Sequence, residues 1–146
     1  MYEHERIKRS MQRKKLLTRV NSSHVKLRIL LVEDDESSQK LTTHLLTKNG
    51  MEVDAVTNGT DALSAISSIE YDVILIDVNL PGISGLELTT IIREKETAFN
   101  VWIMALTACA MPGDRKRCLE AGMDAYLSKP FSERGLIDIV QKLGNL

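Results

Sequence analysis

The stretch DVILIDVNLPGISG, residues 72–85, runs from four apolar residues into Asp77 and then breaks at Pro81-Gly82. Residues 73–76 are β-branched or Leu with no polar residue among them, which is typical of a strand buried on both faces. Such a strand here ends in a carboxylate. A lone Asp at a strand end is most often a turn cap, so the rest of the chain has to show whether Asp77 does more.

Beyond residue 27, apolar runs of strand length alternate with helical patterns. The strand-like runs are residues 27–32, 51–56, 73–76, 101–106 and 125–127. The clearest helix signals are a capping box at Ser84–Glu87, stop signals at Asn49-Gly50 and Gly122, and helical spacing of Leu136, Ile139, Val140 and Leu143. Five strand–helix repeats with short connections predict a doubly wound α/β fold, in which helices cover both faces of a parallel sheet.

Charge divides the 146-residue chain into two parts. Residues 1–26 hold eight Lys or Arg against Glu3 and Glu5, a balance of +6. Because the whole chain has a net charge of −1, the remaining 120 residues carry −7. We therefore expect a basic N-terminal arm or linker, residues 1–26, before a single acidic domain, residues 27–146.

Cysteine usage and hydropathy indicate the compartment. Cys109 and Cys118 form neither a zinc pattern nor a CxxC motif, which favours a reducing cytosol. No apolar run approaches the roughly 18 residues of a membrane span, and the basic arm lacks the apolar segment of a signal peptide. The expectation is a cytoplasmic protein, or the cytoplasmic part of a membrane-bound sensor, without membrane contact by this segment.

Polar residues follow four of the five predicted strands. The first strand is followed by Glu33-Asp34-Asp35-Glu36, the third ends in Asp77, the fourth in Thr107 and the fifth in Ser128-Lys129. Each has an ordinary explanation by itself: a helix N-terminal acidic pair, a turn residue or a solvated lysine. However, ligands of doubly wound folds bind beyond the carboxyl ends of the strands. Polar residues at four strand ends on one rim therefore favour a ligand-binding or catalytic site.

The acidic residues indicate the chemistry of that site. If the first and third strands are neighbours, Asp34, Asp35 and Asp77 converge, and three carboxylates repel one another unless a cation or protons intervene. A hard divalent ion with oxygen ligands, Mg²⁺, would relieve the repulsion. An Asp beside Mg²⁺ can attack a phosphoryl group to form an acyl phosphate, with Lys129 and Thr107 contacting the phosphoryl oxygens.

Four stretches carry a family resemblance. ILLVEDDE, LIDVNLPGISGLEL, IMALTACA and AGMDAYLSKPF resemble the receiver domain of response regulators in two-component phosphorelays, over residues 27–146. The resemblance implies a flavodoxin-like (βα)5 fold with strand order 2-1-3-4-5. It also implies that Asp77 is the phosphoacceptor, which takes a phosphoryl group from a histidine of a histidine kinase or histidine phosphotransfer protein.

The same resemblance implies roles for other positions. Asp35, Asp77 and the backbone carbonyl of Asn79 are similar to the Mg²⁺ ligands, with Asp34 acting mainly through a bound water. Thr107 and Lys129 resemble the phosphate-contacting pair. Tyr126 resembles the aromatic residue that turns inward when Thr107 moves to the phosphate, a change that the fourth helix, fifth strand and fifth helix would present to partners.

The wider context also follows from the resemblance. DRKRCLEAGMDAYLSKPF is most similar to receivers fused to hybrid sensor histidine kinases, so the arm would be a linker from a larger chain. The domain would catalyse its own phosphorylation and dephosphorylation without being an enzyme in the usual sense. A weak homodimer is compatible with the family. Nucleic-acid binding by the arm is not favoured, because Tyr2 is its only aromatic residue.

Three rival classes are compatible with parts of the pattern. A Mg²⁺-dependent phosphatase with an Asp nucleophile would typically have a second Asp two positions on, where Asn79 stands. A flavin-binding module would need a phosphate-cradling loop after the first strand, where residues 33–36 are acidic. A pseudo-receiver that binds partners without phosphorylation would lack one of the rim groups, and all are present.

Two further expectations concern residues near the rim. Asn79 and Cys109 each lie two residues beyond a predicted site residue, where their side chains would tune the lifetime of the acyl phosphate. We also expect a cis bond between Lys129 and Pro130, because the chain must reverse between the fifth strand and the last helix.

Overall fold

The protein is described by a computed structural model over residues 26–95, 101–108 and 112–146. The strands are β1 Arg28–Val32, β2 Glu52–Val56, β3 Val73–Asp77, β4 Trp102–Thr107 and β5 Ala125–Ser128. The helices are α1 Glu36–Lys48, α2 Gly59–Ser68, α3 Gly85–Glu94, α4 Asp114–Ala121 and α5 Glu133–Gly144. Cys109 and residues 1–25 of the predicted arm lie outside the described residues.

The five strands form one parallel sheet in the order β2-β1-β3-β4-β5. This arrangement confirms the predicted doubly wound α/β fold and the strand order that the resemblance implied. Val32 of β1 lies opposite Ile76 of β3, and Thr107 of β4 lies opposite Ser128 of β5. The residues that follow β1 and β5 are therefore brought to the same rim as Asp77.

Two hydrophobic cores cover the two faces of the sheet, because side chains alternate along each strand. On one face, Leu30, Ile74 and Ile103 pack with residues of α2, α3 and α4. On the other, Leu31 and Leu75 pack with residues of α1 and α5. Every residue of β3 is buried, including Asp77 at its end, and the burial of residues 73–76 agrees with the prediction from their apolar sequence. The sheet thus forms a well-packed base for the side chains at its carboxyl edge.

Most helix ends match their sequence signals. The Ser84 side chain accepts a hydrogen bond from the Glu87 backbone N–H at 3.2 Å, as the capping box predicts. Gly50 and Gly122 have positive φ of 84° and 109° after α1 and α4. Pro112 lies directly before Gly113, which is the N-cap of α4 in a left-handed conformation (φ 90°).

Two further observations concern the chain as a whole. The Lys129–Pro130 peptide bond is cis, as predicted. Among the helices of the described ranges, none has the length and apolar character needed to cross a lipid bilayer.

Candidate functional site

Three carboxylates converge where β1 and β3 end. One oxygen from each of Glu33, Asp34 and Asp77 lies within 4.8 Å of the others. Asp77 is the last residue of β3, and Glu33 and Asp34 directly follow β1, its neighbour in the sheet. Glu33 is 1% exposed and Asp77 is 7% exposed, whereas Asp34 is open to solvent. The cluster therefore has a buried floor and an accessible outer edge.

Lys129 places a positive charge against the two buried carboxylates. Its Nζ donates hydrogen bonds to Glu33 Oε1 at 2.5 Å and to Asp77 Oδ2 at 3.5 Å. The backbone N–H of Lys129 donates to the Thr107 carbonyl at 2.7 Å. This bond continues the β4–β5 pairing one residue beyond the strands, and so it fixes where the lysine side chain begins.

Two buried carboxylates, those of Glu33 and Asp77, share one cation, the ammonium group of Lys129. Burial raises the pKa of the Glu33 carboxyl above its usual range, and the nearby Asp77 raises it further, while Lys129 opposes the change. Burial alone would lower the pKa of Lys129, but its contacts with Glu33 and Asp77 outweigh burial and raise it. The lysine is therefore held in its charged form, and the two carboxylates still repel each other.

Asp35, predicted as a metal ligand, has a different place. Its carboxylate is exposed and accepts the backbone N–H of Ser38 at 2.8 Å, which makes it the N-cap of α1. This hydrogen bond also lowers the pKa of Asp35. The structure thus brings together Glu33 and Asp34, rather than Asp34 and Asp35, with Asp77.

Glu33 is not apparent as a site residue from the sequence, because residue type alone favours the adjacent Asp34–Asp35 pair. A usable signal lies in the pairing: Val32 is opposite Ile76, so the next residue, Glu33, comes beside Asp77. That signal requires the register of two strands about 45 residues apart in the chain, which no local pattern supplies.

The backbone around Asp77 is tightly packed. The Asn79 N–H donates to Asp77 Oδ1 at 2.9 Å, and the Val78 N–H donates to the Leu106 carbonyl at 3.0 Å. A Cβ atom at Gly85 would lie 2.5 Å from the Asp77 carbonyl oxygen and 2.8 Å from Val78 Cα. Only glycine therefore permits the start of α3 to approach this loop so closely.

A small cavity adjoins the cluster on the side of α3 and α4. It has a volume of about 160 Å³, and its lining comprises Val78, Asn79, Leu86, Thr107, Asp114, Arg117 and Cys118. Thr107, at the end of β4, is 3% exposed. Burial, followed by the charge of Asp114, raises the pKa of the Cys118 thiol, which makes that thiol a weak nucleophile.

Tyr126 lies on β5, half-buried, and packs against the core beneath α2, α3 and α4. It is opposite Ala105, two residues before the Thr107–Ser128 pair. Because side chains alternate along strands, Tyr126 and Thr107 belong to the same face of the sheet. The aromatic ring and the hydroxyl thus share one side of the rim.

Comparisons with known proteins agree with this architecture. The model of the response regulator receiver domain matches residues 29–141. The structure superposes with a TM-score of 0.78 on the receiver domain of the sensor histidine kinase PA1611 from Pseudomonas aeruginosa, at 39% identity over 84% of this chain and all of that one. That structure has a magnesium ion coordinated in its active-site cleft. The chain belongs to the response regulator receiver domain family.

Curated relatives include proteins of two architectures. The sensor histidine kinase GacS of Pseudomonas protegens is 41% identical over 79% of this chain, and hybrid signal transduction histidine kinase I of Dictyostelium discoideum is 39% identical over 82%. The chain spans only 13% and 7% of those two proteins. The response regulator DivK of Brucella anthropi is 35% identical, and there the match spans 92% of the relative.

Proposed function

We propose that Asp77 is the phosphoacceptor of this receiver domain and takes a phosphoryl group from a histidine of a histidine kinase or histidine phosphotransfer protein. The observation that carries the proposal is the convergence of Asp77 with two further carboxylates and Lys129. A carboxylate oxygen of Asp77 forms a bond to phosphorus while the bond between phosphorus and the donor's imidazole nitrogen breaks. The other ring nitrogen of the phosphorylated histidine carries a proton, so the imidazole leaves in its neutral form. The product is an acyl phosphate on Asp77 and a neutral histidine on the donor.

The donor set fits Mg²⁺. Glu33, Asp34 and Asp77 present hard oxygen ligands within 4.8 Å of one another, and Lys129 is the cation that contacts two of them. We propose these three carboxylates and the backbone carbonyl of Asn79 as the residues that hold the ion. When bound, Mg²⁺ supplies positive charge for the incoming phosphoryl oxygens.

The chain's own groups have separate tasks. The Lys129 ammonium group donates a hydrogen bond to Asp77, and it is placed to pair with an oxygen of a phosphoryl group on Asp77. The buried Thr107 hydroxyl would donate to another, and Tyr126, on the same face, would respond to that movement. Asn79 lines the cavity beside Thr107, where its side chain would influence the water that attacks the acyl phosphate; Cys109 has the corresponding predicted role after β4.

The wider role is also a proposal. The match to GacS and the Dictyostelium kinase supports a receiver segment of a hybrid sensor histidine kinase. We further propose that this segment lies in the cytoplasm and that residues 1–26, with their balance of +6, form a basic linker. Phosphotransfer and dephosphorylation would be self-catalysed, with no separate substrate turned over. A weak homodimer remains part of this proposal.

The decisive experiment is phosphorylation of the full chain by acetyl phosphate with Mg²⁺, followed by intact-mass analysis. We expect one phosphoryl adduct on the wild type and none on Asp77→Asn. The matched control is Asp138→Asn, an exposed position on α5, which should label like the wild type. Equal labelling of Asp77→Asn would contradict the assignment, and an unlabelled wild type would favour a binding module that works without phosphorylation.

A further inference from the structure

Gln39, at the end of the first turn of α1, reaches back to the carboxyl ends of two strands. Its side-chain Nε2 donates to the Glu33 carbonyl at 3.1 Å and to the Val56 carbonyl at 3.2 Å. The side chain is half-buried. Through these two hydrogen bonds, one side-chain amide connects the end of β1 with the end of β2.

These two carbonyls lie where the ladder between β1 and β2 stops. The last paired residues are Val32 and Val56, and the Glu33 N–H still donates to the Val56 carbonyl at 3.0 Å. The Glu33 carbonyl lies beyond that final bond. Because a side-chain amide offers two N–H donors, Gln39 can serve both acceptors and hold the peptide between Glu33 and Asp34 in one orientation.

That peptide matters because the side chains on both of its ends belong to the acidic cluster. The Glu33 carboxylate is itself held, by Lys129 at Oε1 and by the Asp35 N–H at Oε2, 3.3 Å away. With Gln39 on its carbonyl, Glu33 is restrained at its backbone and at its side chain. A rotation of the peptide would redirect the Glu33 and Asp34 carboxylates together.

We propose that Gln39 is a positioning residue for the metal site, acting through the Glu33–Asp34 peptide rather than by touching the ion. The inference rests on the proposed Mg²⁺ site. The helix does not depend on Gln39 for its start, because Asp35 supplies the N-cap, and Leu46 anchors α1 in the core. The contact with two strand ends is therefore directed at the turn that bears the ligands.

The test compares Gln39→Met with Gln141→Met in the full chain. Methionine keeps the unbranched length but lacks both donors, and Gln141 is exposed on α5, away from the β1–α1 turn. We expect Gln39→Met to weaken Mg²⁺ binding about tenfold by calorimetric titration, as the loss of an outer-shell partner does at other metal sites. Gln141→Met should bind Mg²⁺ like the wild type.

The Mg²⁺ dissociation constant distinguishes a positioning role of Gln39 from a role in stability alone. A merely structural Gln39 would lower the urea midpoint while the folded protein kept its Mg²⁺ dissociation constant, and that result would overturn the inference. If Gln39→Met does not fold, Gln39→Leu gives the same comparison. The Mg²⁺ titration contains no phosphodonor, so its result is independent of the labelling experiment with acetyl phosphate. A wild-type protein that binds Mg²⁺ but is not labelled by acetyl phosphate would contradict the proposed function and leave the inference about Gln39 standing.

Discussion

Glu33 and Asp35 lie two residues apart on the turn between β1 and α1, yet their carboxylates face different partners. Glu33 is buried and bonded to Lys129, whereas Asp35 is exposed and bonded to the backbone N–H of Ser38. A carboxylate at an N-cap satisfies a free N–H group and complements the helix dipole. Glu33 thus faces the candidate site, whereas Asp35 caps the helix.

Asp35→Ala should lower the urea midpoint and leave Mg²⁺ affinity unchanged, because the substitution removes a cap and no ligand. Glu33→Gln should weaken Mg²⁺ binding, since it removes one of the three converging carboxylates. Ser132→Ala, which removes the cap of α5, is the matched control and should cost about 1 kcal/mol with unaltered Mg²⁺ binding. A loss of Mg²⁺ affinity in Asp35→Ala equal to that in Glu33→Gln would make Asp35 a ligand after all.

At the scale of elements, Arg93 connects the last turn of α3 to two other segments. Its guanidinium donates to the Val101 carbonyl before β4 at 2.7 Å, to the Gly122 carbonyl after α4 at 2.9 Å, and to Asp124 at 2.8 Å. The Arg93 and Asp124 side chains are 6% and 3% exposed. Asp124 also accepts the Ile103 N–H at 2.9 Å, so this buried pair joins α3, β4 and the turn before β5.

Asp124→Ala should reduce the free energy of unfolding by about 3–5 kcal/mol, because it leaves a buried guanidinium without its counter-charge. The control is Lys48→Ala, which breaks the exposed ion pair with Glu133 and should cost at most about 1 kcal/mol. Urea denaturation of both variants measures the difference. Similar small losses would show that water reaches Arg93 and that the pair does not join these elements.

At the scale of the whole molecule, negative charge gathers on the rim that bears the site. Each helix carries an acidic residue in its first turn: Glu36, Asp61, Glu87, Asp114 and Glu133. Acids are favoured there by the helix dipole, and in a parallel α/β fold every helix begins beyond the carboxyl end of a strand. The first-turn acids of separate helices are thus collected along one edge of the sheet, where Glu36, Asp114 and Glu133 are paired with nearby Lys or Arg side chains.

Mg²⁺ should stabilise the folded protein, because the three carboxylates come together only in the native state. At ten times the dissociation constant the gain in unfolding free energy should be about 1.4 kcal/mol, and chelation should remove it. In Asp77→Ala the gain should fall. NaCl at matched ionic strength is the control: if it stabilises the protein equally, the effect of Mg²⁺ is screening of the acidic rim and not binding at the site.

Local sequence patterns were sufficient to place the strands and helices and to identify the strand ends that bear polar residues. Apolar runs, the Ser84–Glu87 capping box and the stop at Gly122 depend on neighbouring residues, so they were readable without a structure. The same holds for Asp77, Thr107 and Lys129, each of which ends or directly follows a strand. The order of the strands was different, because periodicity carries no information on which strands are neighbours, and that order came from the family resemblance.

Which acidic residues come together at the site depends instead on the three-dimensional packing of the chain. Whether Glu33 or Asp35 joins Asp77 depends on the pairing of β1 with β3 and on the direction of the chain after β1, and both are set by packing between distant segments. The Arg93–Asp124 pair and the two carbonyls that Gln39 reaches are likewise contacts between segments far apart in sequence. Local sequence patterns depend on interactions between residues a few positions apart. The composition of the site depends on the register in which neighbouring strands pair, and that register is fixed when the whole sheet assembles.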